Sequence, residues 1–344
     1  MQHLIGPSKI YKGKNSWQES LREISQTIKR PLVLGRSEAT KNIRFKIVND
    51  LKNVGLTVFC SDLNFDCCHE DLDRICKEAF YNNCDSIITA GGGKVLDAGK
   101  LIADNLDIPC ITIPLSSSTC AGWTALANIY TKNGQFIKDI NLKSSPRVLV
   151  FDHAFIKTAP RKTLTSGIAD SLAKWYESSL TSSSNSDGIV QQAIQISRVL
   201  RDQLFIEGVA AYKNQEESNI SWRNVIEANG LTAGLIGGIG GEKCRTAAAH
   251  AIHNGITQIQ CNKKSLHGEI VGVGILIQLS LEASKNNKLA NQSIKQLKEF
   301  MLKLNLPTTI SELGIDVFEE NNLIKIAEFS CRKESEIHFL PFFN

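Results

Sequence analysis

No stretch of this 344-residue chain approaches the roughly 18 consecutive apolar residues that a membrane span needs, so no membrane partner is expected. The first residues, Met1-Gln-His-Leu-Ile-Gly-Pro7, carry no charged segment followed by an apolar one, which reads against a secretory signal. Charge of one sign is also missing. The formal net charge is only +4, with Lys and Arg scattered and no basic arm, so nucleic acid is not an expected partner. The ten cysteines, dispersed from Cys60 to Cys331, contain no Cys-x-x-Cys pair, and Cys67 and Cys68 are adjacent. That spacing excludes a zinc ribbon and a thioredoxin-like redox motif. Without a secretion signal the thiols read as reduced, small, mostly buried groups of a cytoplasmic protein. The Gly-x-Gly-x-x-Gly dinucleotide fingerprint and internal repeats are absent as well.

What is present is an ordinary globular composition, 42% hydrophobic and 22% charged. The length favours two domains over one. The first half alternates. Pro31–Leu34, Leu56–Phe59, Ser86–Thr89, Cys110–Pro114 and Arg147–Phe151 read as strands, with helical spacing over 38–53 and from Glu70 to Asn82. Such βαβα order predicts a doubly wound parallel sheet. Residues 128–138 differ, with two short strands around Asn133-Gly134, a hairpin signal. From about Pro160 the strand signals nearly vanish. Helices are predicted over 163–180, 187–213, 222–238, 244–260, 267–284 and 290–304, with Ser178 to Ser186 as a solvated connection. The expected architecture is an α/β nucleotide-binding domain over 1–158 and an all-helical metal-binding domain over 159–344, with a ligand cleft between them.

Two features carry chemistry. The strand at Ser86–Thr89 runs into Gly91-Gly92-Gly93, and a helical pattern follows. Glycine lets the backbone turn tightly and approach a ligand, and a helix start offers free N–H groups to a diphosphate. The same pattern also fits a plain tight turn between strand and helix. Second, His250 and His267 stand 17 positions apart at the edges of apolar runs, and Asp170 lies upstream in Gly167-Ile-Ala-Asp170. One carboxylate and two imidazoles suit Zn²⁺ or Fe²⁺ with positions left open for a substrate oxygen. The alternative is a set of satisfied core or capping histidines.

The segments GGGKVLDAGK, STCAGWTALANIYTKNGQF, GIADSLAKWYE, AAAHAIHNGIT and LHGEIVGVGILIQL, taken in order, resemble the iron-containing alcohol dehydrogenase superfamily, in its glycerol dehydrogenase branch. The resemblance runs from about residue 7 to residue 342. It implies the Rossmann-like α/β plus all-α fold shared with dehydroquinate synthase. It also implies a metal- and NAD(P)-dependent oxidoreductase acting on a polyol or secondary alcohol, cytoplasmic and homo-oligomeric. Carried over, the metal ligands and catalytic residues are Asp170, His250 and His267, holding Zn²⁺ or alternatively Fe²⁺. His253 lines or caps the site. The NAD or NADP diphosphate falls on Gly92, Gly93, Lys94, Val95 and Leu96. Ser116 and Ser118 lie beside the cofactor, with Thr124, Leu126 and Tyr130 along the nicotinamide. Asp97 fixes its loop. The implied reaction moves a hydride between the carbinol carbon and the nicotinamide.

Four departures from the family pattern bear on substrate and cofactor. Cys120 stands where glycerol dehydrogenases usually carry an Asp beside the substrate hydroxyls, which makes glycerol a weaker expectation, and nearby Trp123 points to a reshaped pocket. Lys174 stands four residues after Asp170, where branches with a fourth ligand carry His. It either turns to solvent, reads an anionic substrate group or acts as an acid/base. The turn Gly35-Arg36-Ser37 lacks the acidic residue that holds adenosine ribose, and Arg36 with Ser37 suits a 2′-phosphate, so NADP(H) is expected to be accepted. Finally, the family continues with a helix after Glu336-Ile-His338-Phe-Leu-Pro341-Phe342, so a shortened C-terminus with exposed apolar surface is expected. Two further classes stay open at this point. One is a glycerol-1-phosphate dehydrogenase-like or sugar-phosphate cyclase-like enzyme. The other is a non-catalytic paralogue.

Overall fold

The computed structural model of the chain describes residues 4–181, 187–259 and 265–342. The chain divides into two compact units, Met1–Ala159 and Pro160–Asn344.

In the first unit, strand β1 (Lys9–Gly13) is followed by α1 (Ser16–Thr27), β2 (Pro31–Gly35), α2 (Lys41–Asn53), β3 (Phe59–Asp62), α3 (His69–Tyr81), β4 (Ser86–Gly91), α4 (Gly93–Leu106) and β5 (Cys110–Pro114). A hairpin of β6 (Leu126–Tyr130) and β7 (Phe136–Asn141) intervenes before β8 (Val148–Asp152) and the short α5 (His153–Lys157). Six strands form one parallel sheet in the order β1-β8-β5-β4-β2-β3, and β6 pairs with β7 alone, antiparallel. The central strands β2, β4, β5 and β8 are buried along their whole length, which is why they read as continuous apolar runs. Trp17, Leu21 and Ile24 of α1 join Val33, Ile88, Ile111, Ile113, Val148 and Val150 of the sheet in one core.

Both edge strands were poorly legible in the sequence. β1, KIYKG, is half polar and largely exposed, so it has no apolar signature, and neither it nor α1 was predicted. β3 lies at Phe59–Asp62 rather than Leu56–Phe59. Leu56 is buried as the turn enters the strand, and this apolar residue drew the predicted boundary too early. Edge strands face solvent on one side and tolerate polar residues.

The second unit is helical: α6 (Arg161–Thr181), α7 (Gly188–Lys213), α8 (Ile220–Glu227), α9 (Ala233–Gly240), α10 (Ala248–Ile256), α11 (His267–Ser284), α12 (Lys288–Lys303) and α13 (Glu320–Ser330). The span predicted as one helix over 222–238 is α8 and α9 joined by a turn of π-helix at Ala228–Thr232. The helix predicted over 244–260 is shorter at its start, where Glu242–Cys244 forms a 3₁₀ turn; residue 260 lies outside the described residues. The Ser-rich segment is not all connection. α6 extends through Thr181 with Ser178 buried, and only 182–186 lie outside the described residues. Among the described residues no helix is long and apolar enough to cross a membrane.

Candidate metal centre and nucleotide loop

α6 packs against α7 and α11, and α10 against α11. Two glycines let these helices approach closely. A Cβ on Gly268 would lie 1.8 Å from the Ser166 carbonyl oxygen of α6, and one on Gly274 would lie 2.4 Å from the Ala249 carbonyl of α10. Gly268 N–H also donates to Ser166 Oγ at 3.1 Å. This crossing brings together Asp170 from the middle of α6, His250 from α10 and His267 from the first position of α11.

Their donor atoms all lie within 4.8 Å of one another. Asp170 Oδ1 stands 3.4 Å from His250 Nε2 and 3.4 Å from His267 Nε2. Ligand atoms in a tetrahedral site with bonds of about 2.1 Å stand about 3.4 Å apart, so the separations fit a Zn²⁺-sized ion. Asp170 and His250 are buried, whereas His267 is half-buried.

The far side of each imidazole is held. Glu177 Oε2 lies 2.6 Å from His250 Nδ1, and Glu177 Oε1 accepts from the backbone N–H groups of Ala247 at 2.7 Å and His250 at 3.0 Å. Glu177 therefore braces the start of α10 and fixes the His250 proton on Nδ1. His267 Nδ1 lies 2.9 Å from His253 Nε2, and His253 Nδ1 lies 2.9 Å from Asn254 Oδ1. An amide oxygen only accepts, so His253 carries its proton on Nδ1, and its Nε2 accepts a hydrogen bond from His267 Nδ1–H. Both histidines then turn Nε2 toward Asp170, the nitrogen that would lose its proton and take up an ion.

The electrostatics agree. Burial opposes charge on Asp170, yet hydrogen bonds from His250 and His267 outweigh it and hold the carboxyl well below its usual range. In His250, burial is overcome by the Glu177 charge and the bonds to Asp170 and Glu177, and its pKa rises to about 9. Burial, followed by the charge of His267, keeps the His253 pKa well below the usual value and the ring neutral.

Lys174 is not on the solvent. It is buried, and its Nζ donates to the Arg245 carbonyl at 2.9 Å. Next to Asp170, Ser171 Oγ bonds the buried Asn229 Oδ1 at 3.1 Å, and Asn229 Nδ2 donates to the Leu164 carbonyl at 3.3 Å. The π turn thus supplies a polar brace for α6. Sequence reasoning assigned no role to Glu177, Asn229 or Asn254. For Glu177 a signal existed: it stands seven residues after Asp170, two helical turns along one face.

In the first unit, β4 ends at Gly91 and Gly92 is the N-cap of α4, with no side chain capping that end. Gly93, Lys94, Val95 and Leu96 form the first turn, which carries no acidic residue. A Cβ on Gly91 would meet the Val95 side chain at 2.7 Å, whereas one on Gly92 would find only Ser116 Oγ, at 3.9 Å. Ser116 Oγ in turn lies 3.1 Å from Ser118 Oγ. The space over Gly92 is thus a cradle lined by hydroxyls and by the positive end of a helix, and it fits a diphosphate. Lys94 Nζ sits 4.7 Å over the Tyr130 ring. The carbonyls of Thr124 and Leu126 accept from the buried Lys100, which pairs with Asp97 at 3.0 Å, while Asp97 also accepts from Asn128 N–H. Asp97 and Lys100 therefore tie the start of β6 to α4.

Three residues singled out in the sequence have internal partners. Trp123 is buried, and its Nε1–H donates to the Ile5 carbonyl at 2.8 Å, with the ring against Gly6. It packs on the segment before β1. Arg36 is ion-paired with Asp66, and Ser37 Oγ accepts from Ala39 N–H at 3.2 Å. Cys120 is half-buried in the loop between β5 and β6.

A parallel sheet with a glycine loop at a helix start, and a helical unit with a carboxylate and two imidazoles placed to hold an ion, fit a nucleotide- and metal-dependent enzyme class. Comparison with known proteins gives the family. Residues 7–153 match the family model for iron-containing alcohol dehydrogenases. The chain is 42% identical to an uncharacterised oxidoreductase of Synechocystis sp., over 85% of this chain and 75% of that protein. It is 34% identical to the glycerol dehydrogenase of Thermotoga maritima, over 80% and 75%. A solved structure, a probable glycerol dehydrogenase from Sinorhizobium meliloti, matches with a TM-score of 0.86 and 28% identity, covering 99% of this chain and 94% of that one. The chain belongs to the iron-containing alcohol dehydrogenase family, in its glycerol dehydrogenase-like branch. It is a metal-dependent oxidoreductase of the alcohol and polyol class, and membership implies NAD(H) and a metal ion.

Proposed function

We propose that this chain interconverts an uncharged polyol or secondary alcohol and its carbonyl with NAD(H), using a single Zn²⁺ (alternatively Fe²⁺) held by Asp170, His250 and His267. The observation that carries the reading is the paired bracing of the two imidazoles by Glu177 and His253, which presents both Nε2 atoms to Asp170. A bound ion of this kind supplies Lewis acidity, polarising the substrate oxygen. Asp170 supplies the negative charge that partly offsets it. Gly92, Gly93, Lys94, Val95 and Leu96, with Ser116 and Ser118, hold the diphosphate, and Thr124, Leu126 and Tyr130 lie along the nicotinamide. Cys120 is the substrate-side residue. A thiol is a weak hydrogen-bond partner, so the preferred substrate has fewer hydroxyls to satisfy at this position than glycerol. Lys174 is committed to the Arg245 carbonyl, which weighs against a phosphorylated substrate and against the cyclase-like alternative. The enzyme is cytoplasmic and a homo-oligomer.

The test is nicotinamide absorbance against a panel of polyols, polyol phosphates and their ketones, with Zn²⁺ and Fe²⁺ in parallel and His267→Ala as control. Turnover with an uncharged polyol that is lost in His267→Ala is the expected result. Preference for a phosphorylated substrate would return Lys174 to the role of anion reader. Absence of turnover with metal and nucleotide both bound would point to a non-catalytic paralogue.

A further inference from the structure

The turn Gly35-Arg36-Ser37 after β2 has no carboxylate, and Glu38 beyond it is exposed, yet a buried carboxylate reaches this turn from the loop after another strand. Asp66 lies in the loop between β3 and α3, and only 8% of it is exposed. Its Oδ1 accepts from Arg36 Nη1, in the turn after β2, and its Oδ2 accepts from Lys94 Nζ, in the first turn of α4. The loop that carries it is pinned on both sides: Phe65 N–H donates to Asp71 Oδ2 at 2.7 Å, and the Cys67 carbonyl accepts from Tyr130 N–H at 2.9 Å. The hairpin turn closes over it, since a Cβ on Gly134 would stand 3.0 Å from Oδ2. β2 and β4 are adjacent in the sheet, β3 flanks β2, and the chain order reverses at this point. Asp66 therefore sits at the carboxyl ends of these three strands, where doubly wound sheets bind their ligands.

We propose that Asp66 reads the 2′ position of the cofactor's adenosine ribose and sets a preference for NAD(H) over NADP(H). The inference rests on the reading of Gly92–Leu96 as the diphosphate site. With the diphosphate on the start of α4, the neighbouring ribose falls toward the end of β2; of the carboxylates there, Glu38 is exposed and paired with Lys41, Asp62 is paired with Arg44, and Asp66 is the one held between that turn and the start of α4. A ribose hydroxyl donates to it. A 2′-phosphate, with close to two negative charges, is repelled by it and meets cations already engaged by it. Arg36 and Lys94 then act as positioning residues that hold the carboxylate in one orientation before the nucleotide arrives. The acidic residue missing from the Gly35-Arg36-Ser37 turn is thus replaced from the next strand.

The experiment is equilibrium titration of the full chain with NADH and NADPH, followed by energy transfer from tryptophan to the nicotinamide, without turnover. In Asp66→Asn the ratio of the NADPH to the NADH dissociation constant falls by tenfold or more. Adding Arg36→Ala to that variant removes the gain in NADPH affinity. Asp66→Ser, with melting temperatures for all variants, guards against a folding defect in the first. A ratio within twofold of the parent in both Asp66 variants, with NADH still bound, overturns the Asp66 assignment alone. A parent chain that binds neither nucleotide overturns the glycine-loop reading and this inference with it.

Discussion

Asp170 and Glu177 grip opposite nitrogens of one imidazole. Glu177 Oε2 lies 2.6 Å from His250 Nδ1, and Asp170 Oδ1 lies 3.4 Å from His250 Nε2. Both carboxylates come from the same face of α6, two turns apart, so a single straight helix sets the ligand and its support. Replacing Glu177 with Gln removes the charge that favours a basic Nε2 and leaves the side chain with one acceptor oxygen for three N–H groups. Zn²⁺ affinity is expected to fall by about 10- to 100-fold, the range seen when support of this kind is lost. His253→Ala leaves the Nδ1 proton of His267 without its acceptor and is expected to fall in the same range. Competition against a fluorescent chelator measures both. Unchanged affinity in both variants would reduce these contacts to packing.

Metal binding is expected to be linked to the proton on His250. Without an ion, Glu177 and Asp170 overcome burial and raise its pKa from 6.5 to about 9, so the ring is charged at neutral pH. An ion needs the neutral ring, and its arrival expels that proton. Calorimetry at pH 7.5 in two buffers of different ionisation enthalpy should give close to one proton released per ion. The stability of the chelated protein follows the sign of the shift. The raised pKa contributes stability in full below pH 6.5, and this is lost as pH rises through about 9. The Tm of the chelated protein therefore falls across that window, while Zn²⁺ affinity rises. A Tm that climbs over the same interval would contradict the placement of charge around His250.

The glycine loop separates two uses of glycine. Gly91 is needed for packing, since its Cβ would overlap Val95, whereas Gly92 has room for one in the folded chain and an extended backbone that other residues adopt. Gly92→Ala is expected to keep its melting temperature within about 2 °C, because no contact in the protein is disturbed. Its methyl group fills the cradle beside Ser116, so NADH affinity should fall tenfold or more. A variant that melts normally and binds NADH normally would remove the diphosphate from Gly92.

The sequence disclosed the parts of this fold whose burial is complete. β2, β4, β5 and β8 read as apolar runs because both faces are covered, and α6, α7, α11 and α12 read as helices because their apolar spacing is sustained. Edge strand β1 escaped because Lys9 and Lys12 face solvent, and α13 escaped because much of its apolar surface is exposed. Asp170, His250 and His267 were legible as a family pattern, with His253 as their neighbour, but the hydrogen bonds that hold them were not. Glu177, His253 and Asn229 act through particular hydrogen bonds between α6, α10, α11 and the π turn, and no local spacing encodes which polar side chain meets which. Asp66 and Arg36 show the same limit, because the pairing joins the ends of two strands whose order only the sheet reveals. The partner of Trp123, Ile5, lies 118 residues away, where no local spacing points to it.

Gly268 offers the sharpest test of how the triad is assembled. It directly follows His267, and a Cβ there would stand 1.8 Å from the Ser166 carbonyl oxygen and 2.6 Å from its carbon. Both are backbone atoms of α6, four residues from Asp170, and cannot swing aside as a flexible side chain would. Gly268→Ala must therefore push α11 off α6. The cost is expected at about 3 kcal/mol or more, the upper end for overpacking. Because the displaced segment carries His267, the variant should also lose Zn²⁺ affinity, in contrast to a destabilising change far from this crossing. Leu297→Ala in the buried face of α12 supplies that comparison. It should lower the Tm by a similar amount with Zn²⁺ affinity retained at temperatures where the chain is folded. Equal loss of metal from both variants would show that general stability, not the α6–α11 crossing, governs the site.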